Sequence, residues 1–130
     1  MRSINPVYPR VLAYYGDIAG EAAARTGDTG LAEKAIAAHQ EATSIAPLTW
    51  RYREMAGQTF FVFRRFEDAK EQFARAVDLW AGNWALWAAY GDASNLSGDR
   101  ATARVAYEQA LTLNPGHEGL QRAVAALPPP

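Results

Sequence analysis

Histidine is the side chain best suited to metal binding and proton transfer, and the 130-residue chain has only two, His39 and His117. His117 has one acidic neighbour, Glu118, and no third ligand is evident, whereas a zinc site needs three or four protein ligands. His39 is replaced by Phe73 and Tyr107 at successive intervals of 34 residues, which indicates a space-filling position in a core. We therefore expect no metal site.

Other catalytic patterns are missing from the sequence as well. Serine, histidine and aspartate all occur, but no nucleophile elbow or triad context surrounds them. The glycines do not form a phosphate-binding loop; Gly82, Gly91 and Gly98 are spaced as turn or packing residues. We predict that the chain is not an enzyme and binds no cofactor.

Composition restricts the remaining functions. The net charge of −1 argues against a general nucleic-acid binder, which needs a basic face. The absence of cysteine rules out disulfides and leaves the redox compartment open. The longest apolar runs, such as residues 60–63, are far shorter than the roughly 20 residues of a membrane span. We expect no nucleic-acid partner and no direct membrane insertion.

Any binding surface must be built from elements that repeat every 34 residues. The repeated positions hold small or apolar side chains, and arrays of this kind usually act by presenting a surface. They are Ala35, Ala69 and Ala103; Ala42, Ala76 and Ala110; and Ile45, Leu79 and Leu113.

The spacing inside each unit predicts two helices. Ala103, Tyr107 and Ala110 stand at i, i+4 and i+7, on one helical face. In the preceding helix Gly57 and Gly91 match one period apart, and Ala23 stands at the same offset, so we expect close helix contacts there.

Turn residues divide the units. Ser97-Gly98-Asp99 separates the two helices of the third unit, and Asn114-Pro115-Gly116 ends it. The second turn, Arg64-Arg65, has no glycine. The first turn, residues 27–30, is longer than expected, which predicts either a longer first helix or a looser turn and leaves the register before Gly30 open.

These residues resemble the tetratricopeptide repeat over about residues 16–117. The third unit matches that pattern best, with Trp87, Tyr90-Gly91, Ala103, Tyr107, Ala110 and Pro115. The resemblance implies an all-α fold, a right-handed α-solenoid of antiparallel helix pairs with about seven helices. We predict one domain over 1–130: a degenerate first repeat with its N-terminal helix (9–47), two further repeats (48–81 and 82–117), a capping helix (118–127) and a proline tail (128–130).

The resemblance also implies a concave groove that holds a peptide or helix of another protein. Transferred position by position, the groove residues are Arg51, Glu54, Gln58, Phe61, Val62, Ala85, Ala88, Asp92, Asn95 and Leu96. Chaperone-binding members of the family clamp a peptide carboxylate with basic and amide side chains. The corresponding residues here are Gly20, Ala24, Met55, Ala85 and Ala89, which predicts that this clamp is absent. Residues 1–7 could also fill the groove.

Tryptophan is concentrated between the second and third units. Trp87 is expected in the core, and Trp50 and Trp84 are expected to seal the junctions between repeats. Alternatively, Trp80 or Trp84 is an exposed anchor for a partner, because aromatic residues are enriched at interaction hot spots.

Three functions are therefore open. The first is a protein-binding scaffold. The second is a homo-oligomer that associates through its end helices or the tryptophan-rich junction. The third is the soluble appendage of a bacterial membrane protein, since residues 10–15 are similar to the start of repeat tails in O-antigen ligase and polymerase-type glycosyltransferases. The chain is expected in the cytoplasm if it is full-length and on a membrane-anchored protein otherwise.

Overall fold

A computed structural model describes residues 8–128 of the chain. The groove-filling role of residues 1–7 and the last two residues of the predicted proline tail lie outside this range. The described residues form seven α-helices without a strand, which confirms the predicted all-α class. The helices are α1 (Tyr8–Thr26), α2 (Thr29–Ile45), α3 (Trp50–Val62), α4 (Phe66–Leu79), α5 (Trp84–Leu96), α6 (Arg100–Leu113) and α7 (Glu118–Ala126).

The helices pack as three successive hairpins followed by one helix. Within the hairpins α1 contacts α2, α3 contacts α4, and α5 contacts α6; α4 then packs on α5 and α7 on α6. Alanine permits this close packing, because its small side chain lets two backbones approach. All six period-defining alanines are fully buried: Ala35, Ala42, Ala69, Ala76, Ala103 and Ala110.

Each hairpin also contains a glycine that lies against a bulky side chain of the second helix. A Cβ added to any of these glycines would lie only 2.7 or 2.8 Å from the nearest ring atom. The absent side chain therefore makes room for the ring. The three pairs are Gly16 with His39, Gly57 with Phe73, and Gly91 with Tyr107.

The first hairpin is longer than the other two. Gly57 and Gly91 each precede their ring residue by 16 positions, whereas Gly16 precedes His39 by 23, a difference of seven residues or about two helical turns. The prediction that Ala23 is the counterpart of Gly57 was therefore wrong. The longer first helix is the correct alternative, since α1 has 19 residues and α3 and α5 have 13 each.

The turns inside the hairpins need a left-handed backbone residue. Gly27 and Gly98 supply it with φ of 74° and 94°. In the second hairpin Arg64 takes the same conformation, with φ of 61°, because no glycine is present. Asp28 and Asp99 then cap α2 and α6 by accepting hydrogen bonds from the backbone N–H groups of Leu31 and Thr102, each at 3.1 Å.

The C-terminal helix covers the third hairpin. Leu120 and Leu127 join the buried cluster of Ala103, Tyr107 and Ala110. The guanidinium of Arg104 donates hydrogen bonds to the carbonyl oxygens of Leu127 and Pro128, at 2.9 and 2.6 Å. These bonds satisfy carbonyls at the end of α7, where no further helical turn follows. Across residues 8–128, none of the helices combines the length and the apolar character needed to cross a bilayer.

Candidate functional site

Two adjacent hollows lie along the first helices of the hairpins. One, of about 390 Å³, lies between α1 and α3; the other, of about 350 Å³, lies between α3 and α5. Gln58 and Val62 line both hollows and form the ridge between them. We call this surface the inner face; it is lined by Asp17, Gly20, Glu21, Ala24, Gln58, Phe61, Val62, Ala89 and Asp92.

The α3–α5 hollow has an apolar floor. Phe61, Val62, Phe73 and Ala89 line it, and Gln58 and Asp92 are its polar members. Phe73 reaches the hollow because Gly57 leaves space beside it. An apolar floor with a few polar groups at its edge is typical of sites that bind a side chain of a partner.

Carboxylates carry the charge of the inner face. Burial, together with the neighbouring carboxylate of Glu54, raises the pKa of Asp17 to about 6. Burial also raises the pKa of Glu54, although the charge of Arg51 opposes this shift. Negative charge on this surface is therefore poorly solvated at neutral pH.

Asp17 and Asp92 occupy corresponding positions, each directly after the glycine of its hairpin. The hydroxyl of Tyr107 donates a hydrogen bond of 2.5 Å to Oδ1 of Asp92, which opposes the burial that raises the pKa of that carboxyl. Asp17 Oδ1 lies 3.5 Å from Nε2 of His39. Both carboxylates are thus held by the ring residue that packs against the adjacent glycine.

His39 is almost completely buried, with 1% of its surface exposed. Its Nε2 shares a hydrogen bond of 2.8 Å with Oγ1 of Thr59. Nδ1 has no hydrogen-bond partner among residues 8–128. Burial lowers the pKa of His39 to about 4, so the imidazole is neutral at pH 7 and the contact with Asp17 is not an ion pair there.

The structure brings some of the predicted groove residues together and separates others. Gln58, Phe61, Val62 and Asp92 line the α3–α5 hollow. Asn95 lies in a third hollow, of about 540 Å³, beside Tyr107 and Leu127. The other predicted residues surround these spaces: Arg51 stacks on Trp50 at 4.9 Å, Ala88 packs on the core of the third hairpin, and Glu54, Ala85 and Leu96 line none of the three hollows.

The tryptophans lie where successive hairpins meet. Trp50 packs on Trp80 with ring centroids 4.7 Å apart, and Trp84 packs on His117 at 5.0 Å. Trp80 still exposes 44% of its surface and Trp84 36%. Trp87 is half-buried, and its indole N–H donates to the carbonyl oxygen of Ala81 at 2.7 Å.

Comparison with known proteins identifies the fold. No protein-family model matches the sequence, and no curated protein matches it significantly. Solved structures do match: the first tetratricopeptide domain of Spaghetti (RPAP3), bound to an HSP90 peptide, has a TM-score of 0.73 at 17% identity, covering 94% of this chain and 91% of that one. This chain has a tetratricopeptide-repeat fold.

Further structures agree with this assignment. MamA has a TM-score of 0.73 at 18% identity, with 92% of this chain and 66% of that chain covered. The Sgt2 tetratricopeptide domain of Aspergillus fumigatus gives 0.68 at 21% identity, with 95% and 81% covered. Seven helices correspond to about three repeats and a capping helix, as predicted.

The longer first hairpin changes two of the positions assigned to the carboxylate clamp of this fold. With the seven-residue shift, Gly20 and Ala24 are replaced by Ala13 and Asp17. Ala13 is fully buried and Asp17 is acidic, so neither can hold a peptide carboxylate. Among residues 8–128, no group of three histidine or acidic side chains could hold a metal ion.

Sequence reasoning missed most of the contribution of α1 to the inner face. Asp17, Glu21 and Arg25 line the α1–α3 hollow but were absent from the predicted groove. A signal was present: Tyr15-Gly16-Asp17 is repeated as Tyr90-Gly91-Asp92, at a distance of 75 residues instead of two periods of 34. A search restricted to the 34-residue period could not find it.

Proposed function

We propose that this chain is a non-enzymatic interaction domain that binds a segment of another protein on its inner face. The observation that carries the proposal is the pair of adjacent open hollows on either side of Gln58 and Val62. The two hollows lie on successive hairpins, so one extended segment or one helix would contact both. The proposed surface retains the predicted groove residues and adds Asp17 and Glu21 of α1.

The side chains of the inner face favour a particular kind of segment. The α3–α5 hollow offers Phe61, Phe73 and Ala89 to an apolar side chain. Asp17 and Asp92 have raised pKa values because burial disfavours their charge, and a nearby cation would stabilise that charge. We infer that the partner segment presents an apolar side chain together with lysine or arginine.

Tetratricopeptide domains of solved structure support the general class of function. The Spaghetti (RPAP3) domain was solved with the HSP90 peptide SRMEEVD. That peptide is acidic and ends in a carboxylate, whereas the five clamp positions in this chain are Ala13, Asp17, Met55, Ala85 and Ala89. We therefore propose a peptide partner of opposite charge.

Selection from a displayed library of random peptides tests the proposal directly. Peptides selected on the purified chain should bind the Val62→Asp variant at least about tenfold more weakly, because the substitution places a charge in both hollows. Val105→Asp is the matched control: Val105 lies on α6 and is 57% exposed, against 55% for Val62.

The outcome separates the inner face from other surfaces. Retained binding by Val62→Asp, or equal loss in both variants, would contradict the proposal. The selected peptides should also be enriched in basic residues. Labelled SRMEEVD peptide should give no saturable binding, and tight binding of that peptide would contradict the charge argument.

A further inference from the structure

The first helix carries a row of exposed apolar side chains that the inner face does not use. We call it the α1 stripe; it consists of Tyr8, Val11, Tyr14, Tyr15 and Ile18, which are 40%, 56%, 54%, 46% and 70% exposed. The residues span three turns on one side of the helix. Single exposed apolar residues are ordinary, but a contiguous row of this size marks a contact surface.

Corresponding positions in the third hairpin are buried by a neighbouring helix. When Gly16 is aligned with Gly91, Val11 corresponds to Leu86 and Ile18 to Ala93. Both α5 residues are fully buried. Leu86 clusters with Ala76 and Val77 of the preceding helix α4, and Ala93 clusters with Phe73 of α4.

The second hairpin repeats this arrangement. Tyr14 corresponds to Met55 of α3, which is buried and clusters with Ala42 of the preceding helix α2. The α1 stripe is therefore the surface on which this fold packs the preceding helix. Within residues 8–128, no helix precedes α1 to cover it.

The charges beside the stripe indicate which helix fits there. The stripe itself has no charged residue, but Arg10 and Glu21 lie along one side of it. They are eleven residues apart, close to three helical turns, with Tyr15 and Gly16 midway between them. Antiparallel pairing of two α1 helices around this midpoint places Arg10 of each copy opposite Glu21 of the other. The same pairing brings Val11 of each copy towards Ile18 of the other.

The C-terminal end of a second copy offers a poorer surface. The exposed residues of α7 include Glu118, Gln121 and Arg122, which are polar. Stacking of one copy's C-terminal end on another's N-terminal end would bury these groups against the α1 stripe. Parallel α1 helices would place Arg10 against Arg10 and Glu21 against Glu21.

We propose that the α1 stripe is the interface of a two-fold symmetric dimer in which the α1 helices pack antiparallel. Such an interface is isologous, since the same residues of both copies form it. The two-fold axis places both inner faces on the same side of the dimer, because Glu21 lies on the flank of α1 that faces the α1–α3 hollow. The dimer would therefore bind a partner with two copies of the recognised segment more tightly than one copy alone.

Sedimentation equilibrium of the full chain across a broad concentration range tests this proposal. A monomer–dimer equilibrium is expected. Ile18→Asp should raise the dimer dissociation constant about 100-fold or more, because it places a charge in the apolar centre twice. Val105→Asp, at an equally exposed position outside the stripe, should leave the constant unchanged.

Charge exchange tests the antiparallel geometry. Arg10→Glu should weaken the dimer by about tenfold, since it places two carboxylates opposite each other. The double variant Arg10→Glu/Glu21→Arg should restore wild-type dimerisation, and circular dichroism should show that all variants remain folded. A monomer at every concentration, a dimer unaffected by Ile18→Asp, or a double variant weaker than Arg10→Glu alone would overturn the proposal. A stripe occupied by residues 1–7 of the same chain would give the first of these results.

Discussion

The first and third hairpins use the same Tyr-Gly-Asp sequence but place it in different chemical surroundings. In the third hairpin, Gly91 lies against Tyr107, whose hydroxyl donates to Asp92. In the first, Gly16 lies against His39, whose ring lies 3.5 Å from Asp17. The space left by the glycine is the same, but one ring is neutral over a broad pH range and the other titrates. Backbone packing and side-chain chemistry therefore vary independently in this fold.

The two ends of the array differ as well. The third hairpin is covered by α7, which buries Leu120 and Leu127. The first hairpin leaves the α1 stripe uncovered within the described residues, and Ile18 exposes 70% of its surface. One end is thus closed by the chain itself, while the other retains a surface suited to a second molecule.

The largest expected effect contrasts these ends. Leu120→Ala should lower the free energy of unfolding by about 2–4 kcal/mol, because it removes buried methyl groups from the core of the third hairpin. Ile18→Ala should change it by no more than about 0.5 kcal/mol in dilute protein. Urea denaturation followed by circular dichroism measures both. Equal losses would contradict the described difference between the ends.

A second effect separates the two ring residues by pH. The pKa of His39 in the folded chain is about 4, below its ordinary value of 6.5, so the unfolded chain binds the proton more strongly. The stability that His39 contributes is present above pH 6.5 and is lost as the pH falls towards 4, by up to about 3 kcal/mol. The pKa of Asp17 is raised from 3.8 to about 6, so its burial destabilises the fold at neutral pH and that cost disappears over the same acidic range.

Variants can separate these opposing contributions. Asp17→Asn should show a steeper loss of stability between pH 6.5 and 4 than wild type, as measured by urea denaturation. Adding His39→Phe, which copies Phe73 of the second hairpin, should remove most of that slope. A slope that persists in the double variant would show that His39 is not its source.

The third prediction concerns the packing glycines. Gly16→Ala and Gly91→Ala should each destabilise the fold by about 1–3 kcal/mol, because the added methyl group would meet the ring of His39 or Tyr107 at 2.7 Å. Gly116→Ala is the control, since nothing lies within 4 Å of its added Cβ. Thermal unfolding measures all three. A neutral Gly16→Ala would contradict the correspondence of Gly16 with Gly91.

The smallest effect concerns the turns. Gly98→Ala should cost about 1 kcal/mol, because alanine is strained at a φ of 94°. Arg64→Gly, at φ of 61°, should stabilise the second turn by about 0.5 kcal/mol, since relief of strain outweighs the greater freedom of the unfolded chain. Urea denaturation would contradict this account if both variants shifted stability in the same direction.

Most of the fold follows from positions where only small residues fit. The alanines that recur every 34 residues all proved to be fully buried, and they are enough to predict paired helices. The capping helix was also predictable, because Leu120, Val124 and Leu127 share one helical face. Packing of this kind leaves a periodic record in the sequence.

The site was harder to predict because it depends on the register of one helix. Seven added residues preserve the helical face approximately, so Ala23 fits the pattern almost as well as Gly16. The electrostatics were not predictable either. The pKa of Asp17 depends on its burial and on Glu54, which lies 37 residues away in the sequence.

The inner face is tested most directly by backbone amide shifts in a ¹⁵N-labelled chain titrated with a selected peptide. The account predicts that the largest changes occur around Asp17, Gln58, Val62 and Asp92, on the three first helices of the hairpins. Changes centred on α2, α4 and α6, or on Trp80 and Trp84, would contradict it.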